Sequence, residues 1–280
     1  MTSALVTADW LAAHLSDPHV VVLDATWAMK GTTPTAAEQY LTRHIPGARR
    51  FDIDHVSDRA SPLPHMLPTP EEFAAEAGLL GIGDGDLVVT YDATGMASAA
   101  ARVWWMFRVF GHDNVAVLDG GLPKWLAEGR PVESGSGRAP VPKTFAADFR
   151  LHLVRGLDAV KAISERGGET ILDARAAGRF EGAAPEPWAN GRGGHIPGAR
   201  SLPFTDLIDP ATKTLLPPDQ LRAKLAVAEG PVVASCGSGV TACVIALALN
   251  EIGRPDAAVY DGSWAEWGLH TELPAATGKG

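Results

Sequence analysis

Cysteine is scarce in this chain: its 280 residues contain two, Cys236 and Cys243. Two thiols seven positions apart in one segment make no disulfide scaffold. They also lack the C-x-x-C spacing of a structural zinc site or a thioredoxin-like redox centre. Positive charge is short as well, with 24 Lys and Arg against 33 Asp and Glu, a net −9. So acidic a chain has no general attraction for nucleic acid or an anionic membrane, and an anionic substrate must be met by a few placed basic residues. No run approaches the ~18 uninterrupted apolar residues of a membrane helix. Met1–Trp10 has no basic n-region and already holds Asp9, so no signal peptide is expected. The nine histidines and two cysteines show no ligand spacing, so no metal is expected. At 46% hydrophobic and 20% charged, the composition is that of a globular protein of one large or two ordinary domains. The expectation is a soluble protein of a reducing compartment, the cytoplasm.

The chain is written twice. His44-Ile45-Pro46-Gly47-Ala48-Arg49 returns as His195-Ile196-Pro197-Gly198-Ala199-Arg200, 151 positions later. A strand-like run ending in an acid precedes each copy, Val20–Ala25 and Thr170–Arg175, with Asp24 and Asp173 149 apart. A second apolar run follows each copy, Leu87–Asp92 and Pro231–Cys236, and Asp92 and Cys236 are 144 apart. Each half closes on Asp119-Gly120-Gly121 before Trp125, or Asp261-Gly262-Ser263 before Trp267, at an offset of 142. Solenoid repeats are far shorter than this, so the order of landmarks means two homologous domains with loop-length differences. The Pro, Gly and Ser content of 131–142 reads as a join. The expected division is an N-terminal domain over 1–133, a linker over 134–150 and a C-terminal domain over 151–280. Runs apolar throughout (Val20–Leu23, Leu87–Thr90, Val115–Leu118) suit strands of a parallel sheet buried on both faces. Ala97–Phe110 reads as a buried helix stopped by Gly111, and Thr241–Ile252 as its counterpart stopped by Gly253. The fold class is α/β, each domain a mostly parallel sheet flanked by helices.

The chemistry concentrates in Val232–Ala242, which reads as strand, tight loop and helix start. A cysteine at the carboxyl end of a parallel strand sits where open α/β sheets bind ligands. The Gly237-Ser238-Gly239 turn aims backbone N–H groups inward at a helix N-terminus, a cradle for negative charge that favours the thiolate, the nucleophilic form. Cys243, two turns into the helix among Ala242, Val244 and Ile245, reads as core. The loop has no lysine for a Walker motif, and Ala242 stands where a cysteine phosphatase carries its phosphate-clamping arginine. Gly81-Ile82-Gly83-Asp84-Gly85 precedes a strand and is a turn, not a nucleotide fingerprint.

The doubled pattern of Asp-ended strand, His-Ile-Pro-Gly-Ala, a cysteine loop in the second half only and a terminal Asp-Gly-Ser-Trp resembles the tandem-domain rhodaneses, or sulfurtransferases, over nearly the whole chain. Cys236-Gly237-Ser238-Gly239-Val240-Thr241 resembles the 3-mercaptopyruvate branch of that family, whereas the thiosulfate branch carries an arginine and a lysine directly after the cysteine. The resemblance implies a persulfide on Cys236, backbone contacts from Gly237, Gly239, Val240 and Thr241, and Arg179 on the substrate carboxylate. The family's second arginine, after Pro185-Glu186-Pro187, is Trp188 here, and Arg192 is the nearest replacement. The branch couples Ser238 to a histidine and an aspartate, matched by His65 and Asp54, for proton handling. Asp92, at the cysteine's position in the first half, implies a chemically inactive domain that closes the cleft. Arg175 is expected to pair locally with Asp173, and His44 and His195, present in both halves, to be structural. The expected reaction moves sulfane sulfur from 3-mercaptopyruvate to a thiol such as thioredoxin, or to cyanide, and the resemblance implies no organic cofactor. Thiosulfate:cyanide sulfur transfer, or a non-catalytic persulfide carrier or docking module, stands as the alternative.

Overall fold

The computed structural model describes residues 3–187 and 191–279. In the first half, β1 (Leu5–Val6), β2 (Val20–Asp24), β3 (Arg49–Arg50), β4 (Leu87–Tyr91) and β5 (Val115–Leu118) form a sheet in the order β1-β5-β4-β2-β3. In the second, β6 (Val154–Arg155), β7 (Thr170–Asp173), β8 (Arg200–Ser201), β9 (Val232–Ser235) and β10 (Ala258–Tyr260) repeat that order as β6-β10-β9-β7-β8. Every strand pair is parallel. The central strands β4, β5, β9 and β10 are buried almost end to end, which is why their sequences run apolar without alternation.

Helices connect and follow the strands: α1 (Ala8–His14), α2 (Ala36–Thr42), α3 (Pro70–Leu79), α4 (Ser98–Val109) and α5 (Gly121–Ala127) in the first half. The second half has α6 (Leu157–Arg166), α7 (Ala177–Phe180), α8 (Pro218–Leu225), α9 (Ala242–Glu251) and α10 (Ser263–Trp267). Thr35 with Glu38 and Thr69 with Glu72 form capping boxes that satisfy the first N–H groups of α2 and α3. The two long central helices end before Gly111 and Gly253, at φ 91° and 88°, left-handed positions that suit glycine. None of the described helices is long and apolar enough to cross a membrane.

The chain forms two compact units whose composition is not a simple cut. Unit 1 holds Met1–Ser57, Pro68–Arg150 and Pro210–Leu215; unit 2 holds Asp58–Leu67, Leu151–Asp209 and Leu216–Gly280. The expected linker, 134–150, belongs to unit 1 and is laid down on it. Phe145 is buried against Phe73, Phe107 and His112, and Lys143 reaches the buried Asp86 at 2.7 Å. Its prolines and glycines signal irregular backbone, which an anchored segment shares with a free one.

The repeat holds residue by residue. Asp24 pairs with Tyr91 across β2 and β4, and Asp173 with Ser235 across β7 and β9. Asp92 and Cys236 are therefore each the first residue beyond an equivalent strand. His44 and His195 each make an isolated antiparallel bridge, to Glu133 and Ala276. Their Nδ1 atoms bond the carbonyls of Tyr40 (2.8 Å) and Phe180 (2.9 Å), and their rings stack on those same residues.

Candidate active site

The cysteine loop is wrapped around one hydroxyl. Ser263 Oγ accepts the N–H of Cys236 at 3.0 Å and of Gly239 at 3.1 Å, and donates to Tyr260 O at 2.8 Å. Its bonding capacity is thus used in tying the loop to the end of β10. The cost is a left-handed serine, φ 50°, at the start of α10. Ser263 Oγ lies 3.9 Å from Cys236 Sγ. The loop carbonyls are held from the other side: Trp264 N donates to Cys236 O (3.0 Å), Ala265 N to Gly237 O (2.8 Å), and the Cys243 thiol to Gly239 O (3.2 Å). Gly239 takes φ 74°, which permits the reversal into α9. The N–H groups of Gly237, Ser238, Val240 and Thr241 find no intrachain acceptor among the described residues. Cys236 is 1% exposed, and the whole loop through Val240 is buried. Both cysteines are free thiols.

A second cluster gathers cations around Glu186. Arg175 grips Asp173 through Nε and Nη2, at 3.0, 3.1 and 2.7 Å, and reaches Glu186 with Nη1 at 2.7 Å. Burial opposes its charge, but Asp173 and Glu186 beside it outweigh that and hold the guanidinium above its ordinary range. It also stacks over the Trp264 ring, 4.7 Å from the centroid, which joins this cluster to the residue behind the cysteine loop. Arg179, on the short α7, forms a fork on the same Glu186 carboxylate through Nη2 and Nε. The Glu186 side chain is 1% exposed and that of Arg179 26%, so the arrangement is a buried carboxylate presenting one arginine at the surface. Arg192 instead donates Nη2 to the carbonyls of Leu273 (2.7 Å) and His270 (3.1 Å), fastening the C-terminal segment. Trp188 lies outside the described residues.

The other expected residues fall in different units. His65 is buried at φ 60° in the 58–67 segment, part of unit 2 with Ser238; Leu67 N fastens that segment to Asp261 at 2.8 Å. Asp54 belongs to unit 1, where it accepts the Trp27 indole N–H at 3.0 Å.

Two supporting residues escaped the sequence reading. Ser263 had a signal, since the second half reads Asp-Gly-Ser where the first reads Asp-Gly-Gly, and of these two residues serine alone has a side chain that can accept loop N–H groups. Glu186 had a weaker one, an acid between two prolines within reach of two arginines.

Rhodanese-like domain models match residues 7–128 and 157–270, most of the chain. The chain belongs to the rhodanese family. A thiosulfate/3-mercaptopyruvate sulfurtransferase of Arabidopsis thaliana is 45% identical, over 96% of this chain and 77% of that protein. The Bos taurus thiosulfate sulfurtransferase is 43% identical over 99% of this chain and 96% of its own. The crystal structure of SseA from Escherichia coli, a 3-mercaptopyruvate sulfotransferase, superimposes with a TM-score of 0.84 at 40% identity, covering 94% of this chain and 99% of that one. Both rhodanese units are thus accounted for, and both donor names occur at nearly equal identity.

Proposed function

We propose that the chain is a 3-mercaptopyruvate sulfurtransferase working through a persulfide on Cys236. The observation that carries this reading is the loop Cys236–Thr241, buried through Val240, fixed by Ser263 and bearing no side-chain cation. The Cys236 thiolate attacks the donor sulfur. An S–S bond forms as the C–S bond breaks, and the electron pair passes into the pyruvate enolate, which takes a proton at carbon. In the second half-reaction an acceptor thiolate such as thioredoxin's, or cyanide, attacks the outer sulfur and Cys236 leaves as thiolate. The spare N–H groups of Gly237, Ser238, Val240 and Thr241 are suited to stabilise whichever sulfur anion is present. Ser238 and His65, buried in the same unit, are assigned the proton at the departing enolate.

Arg179, held by Glu186 and partly exposed, is assigned the donor carboxylate. Arg192, already bonded to two carbonyls, is assigned the holding of the C-terminal segment that backs the site. The free thiols support a reducing compartment such as the cytoplasm.

Compact, doubly charged thiosulfate would have to place its charge within a loop that offers only amides. A single poorly met buried charge costs several kcal/mol, and about 1.4 kcal/mol is already tenfold in rate. The test is donor choice on purified protein: kcat/KM at least about tenfold higher with 3-mercaptopyruvate than with thiosulfate, and a loss of about tenfold or more with 3-mercaptopyruvate in Arg179→Ala. A preference for thiosulfate would replace this reading with thiosulfate:cyanide sulfur transfer.

A further inference from the structure

Unit 1 has a cavity where unit 2 has a guanidinium. In unit 2, Arg175 N donates to Asp173 Oδ1 at 3.0 Å, and the arginine side chain then folds back onto the same carboxylate and over Trp264. In unit 1, Thr26 N donates to Asp24 Oδ1 at 2.8 Å, so Thr26 holds the place of Arg175. Leu122 N bonds Asp92 O at 3.1 Å as Trp264 N bonds Cys236 O at 3.0 Å, so Leu122 holds the place of Trp264. Two large side chains are thereby replaced by small ones. A cavity of about 390 Å³ opens there, lined by Asp24, Tyr40, Arg43, Ala93, Leu122 and Leu126 among others. That volume falls within the ~300–1,000 Å³ range of small-molecule sites.

The electrostatics of the cavity are lopsided. Asp24 is 1% exposed and its carboxylate accepts the Thr26 N–H; no cation lies within 4 Å of it among the described residues. Arg50, on the adjacent β3, spends its guanidinium on the Thr26 carbonyl (3.1 Å) and on Asp52 (2.7 Å). A buried carboxylate lacking the guanidinium that its sibling owns is a receptor for one from outside. Arg43 is exposed on the same cavity, and its guanidinium has no partner among the described residues. We propose that this cavity binds a small zwitterion, a guanidinium or ammonium head on Asp24 with its carboxylate toward Arg43, the wall being the apolar Ala93, Leu122 and Leu126. The site lies wholly among unit 1 residues and does not rest on the sulfur-transfer reading.

The experiment titrates the full chain with L-arginine, citrulline and agmatine, following binding by calorimetry and by the amide resonances of Ala93 and Leu122. Citrulline keeps the shape and replaces the charged head with a neutral one, so it should bind at least about tenfold more weakly than arginine. Agmatine lacks the carboxylate and should bind about two- to fivefold more weakly, the worth of an exposed ion pair. Arg43→Gln should erase the arginine–agmatine difference. Asp24→Asn keeps an acceptor for Thr26 N–H and should erase the arginine–citrulline difference. If that variant fails to fold, Leu126→Trp, which fills the cavity from its half-buried wall and leaves Asp24 intact, should abolish binding. Equal binding of arginine and citrulline, shifts that miss Ala93 and Leu122, or undiminished binding by Leu126→Trp would each overturn the proposal; an arginine–agmatine difference that survives Arg43→Gln would overturn the place given to the carboxylate.

Discussion

The loops after β4 and β9 leave equivalent strands at equivalent residues and turn on equivalent glycines, Gly95 at φ 69° and Gly239 at φ 74°. One is closed on itself and the other is held open. Asp92 bends its own carboxylate into the turn, where Oδ1 accepts from Thr94 Oγ1 (2.6 Å), Gly95 N (2.9 Å) and Thr94 N (3.1 Å). An internal anion thus fills the cradle in unit 1. In unit 2 the serine behind the loop takes two N–H groups, and the others have no acceptor among the described residues. Where Ser263 stands, unit 1 has Gly121, also left-handed at φ 53°, so the backbone shape was kept and the hydroxyl was not. An anion cradle is therefore common to both halves, and the difference lies in what fills it and what supports it from behind.

The comparison breaks most completely at the proposed nucleophile. Cys236→Ser is expected to abolish sulfur transfer, while Cys243→Ser, which keeps a donor for Gly239 O, retains most of it. Mass spectrometry after donor treatment should place the added sulfur on Cys236; sulfur on Cys243 would reverse the assignment. Next comes the support. Ser263→Ala removes the acceptor of two buried N–H groups, at about 1–3 kcal/mol of stability, and releases the loop from β10, so kcat/KM should fall about tenfold or more along with a lower thermal midpoint. An unchanged kcat/KM would make the serine merely structural.

The smallest expected effect concerns the closed loop. Burial pushes the Asp92 carboxyl up, against the lowering pull of its bonds to Thr94, Ala100 and Gly95. A carboxyl raised in the folded state costs nothing below its unfolded value near pH ~3.9 and costs stability as pH climbs from there through the folded value. Asp92→Asn, which gives up only the 3.4 Å bond from Ala100 N, should therefore gain stability over the parent as pH rises from about 4 to 8. Paired denaturant titrations measure that gap; one that narrows with rising pH contradicts the burial argument.

The sequence announced these loops because strand ends, glycines and the offset of the repeat are local or periodic signals. Ala93-Thr94-Gly95 lacks a Gly-Ser-Gly turn, so nothing in the sequence requires the first loop's N–H groups to converge. Thr94 and Gly95 do converge, since a carboxylate at Asp92 organises them without that turn. Ser263 shows in the sequence only as part of the Asp-Gly-Ser landmark, because its partners lie 24 and 27 residues away and only folding brings them together. The placement of 134–150 hid for the opposite reason: a single buried ring, Phe145, and one lysine anchor a segment whose composition says linker.

The reciprocal segments have a consequence for how the chain is made. Unit 1 includes 210–215, with Leu215 N on Asp119 at 2.8 Å, and unit 2 includes 58–67. During synthesis from the N-terminus, unit 1 lacks its last piece until residue 215 has left the ribosome, by which time much of unit 2 has been translated. Residues 58–67 meanwhile wait, already made, for Asp261. A gene cut at 150/151 would strand both segments with the wrong half, so the two units, legible as a duplication, are inherited, expressed and matured as one.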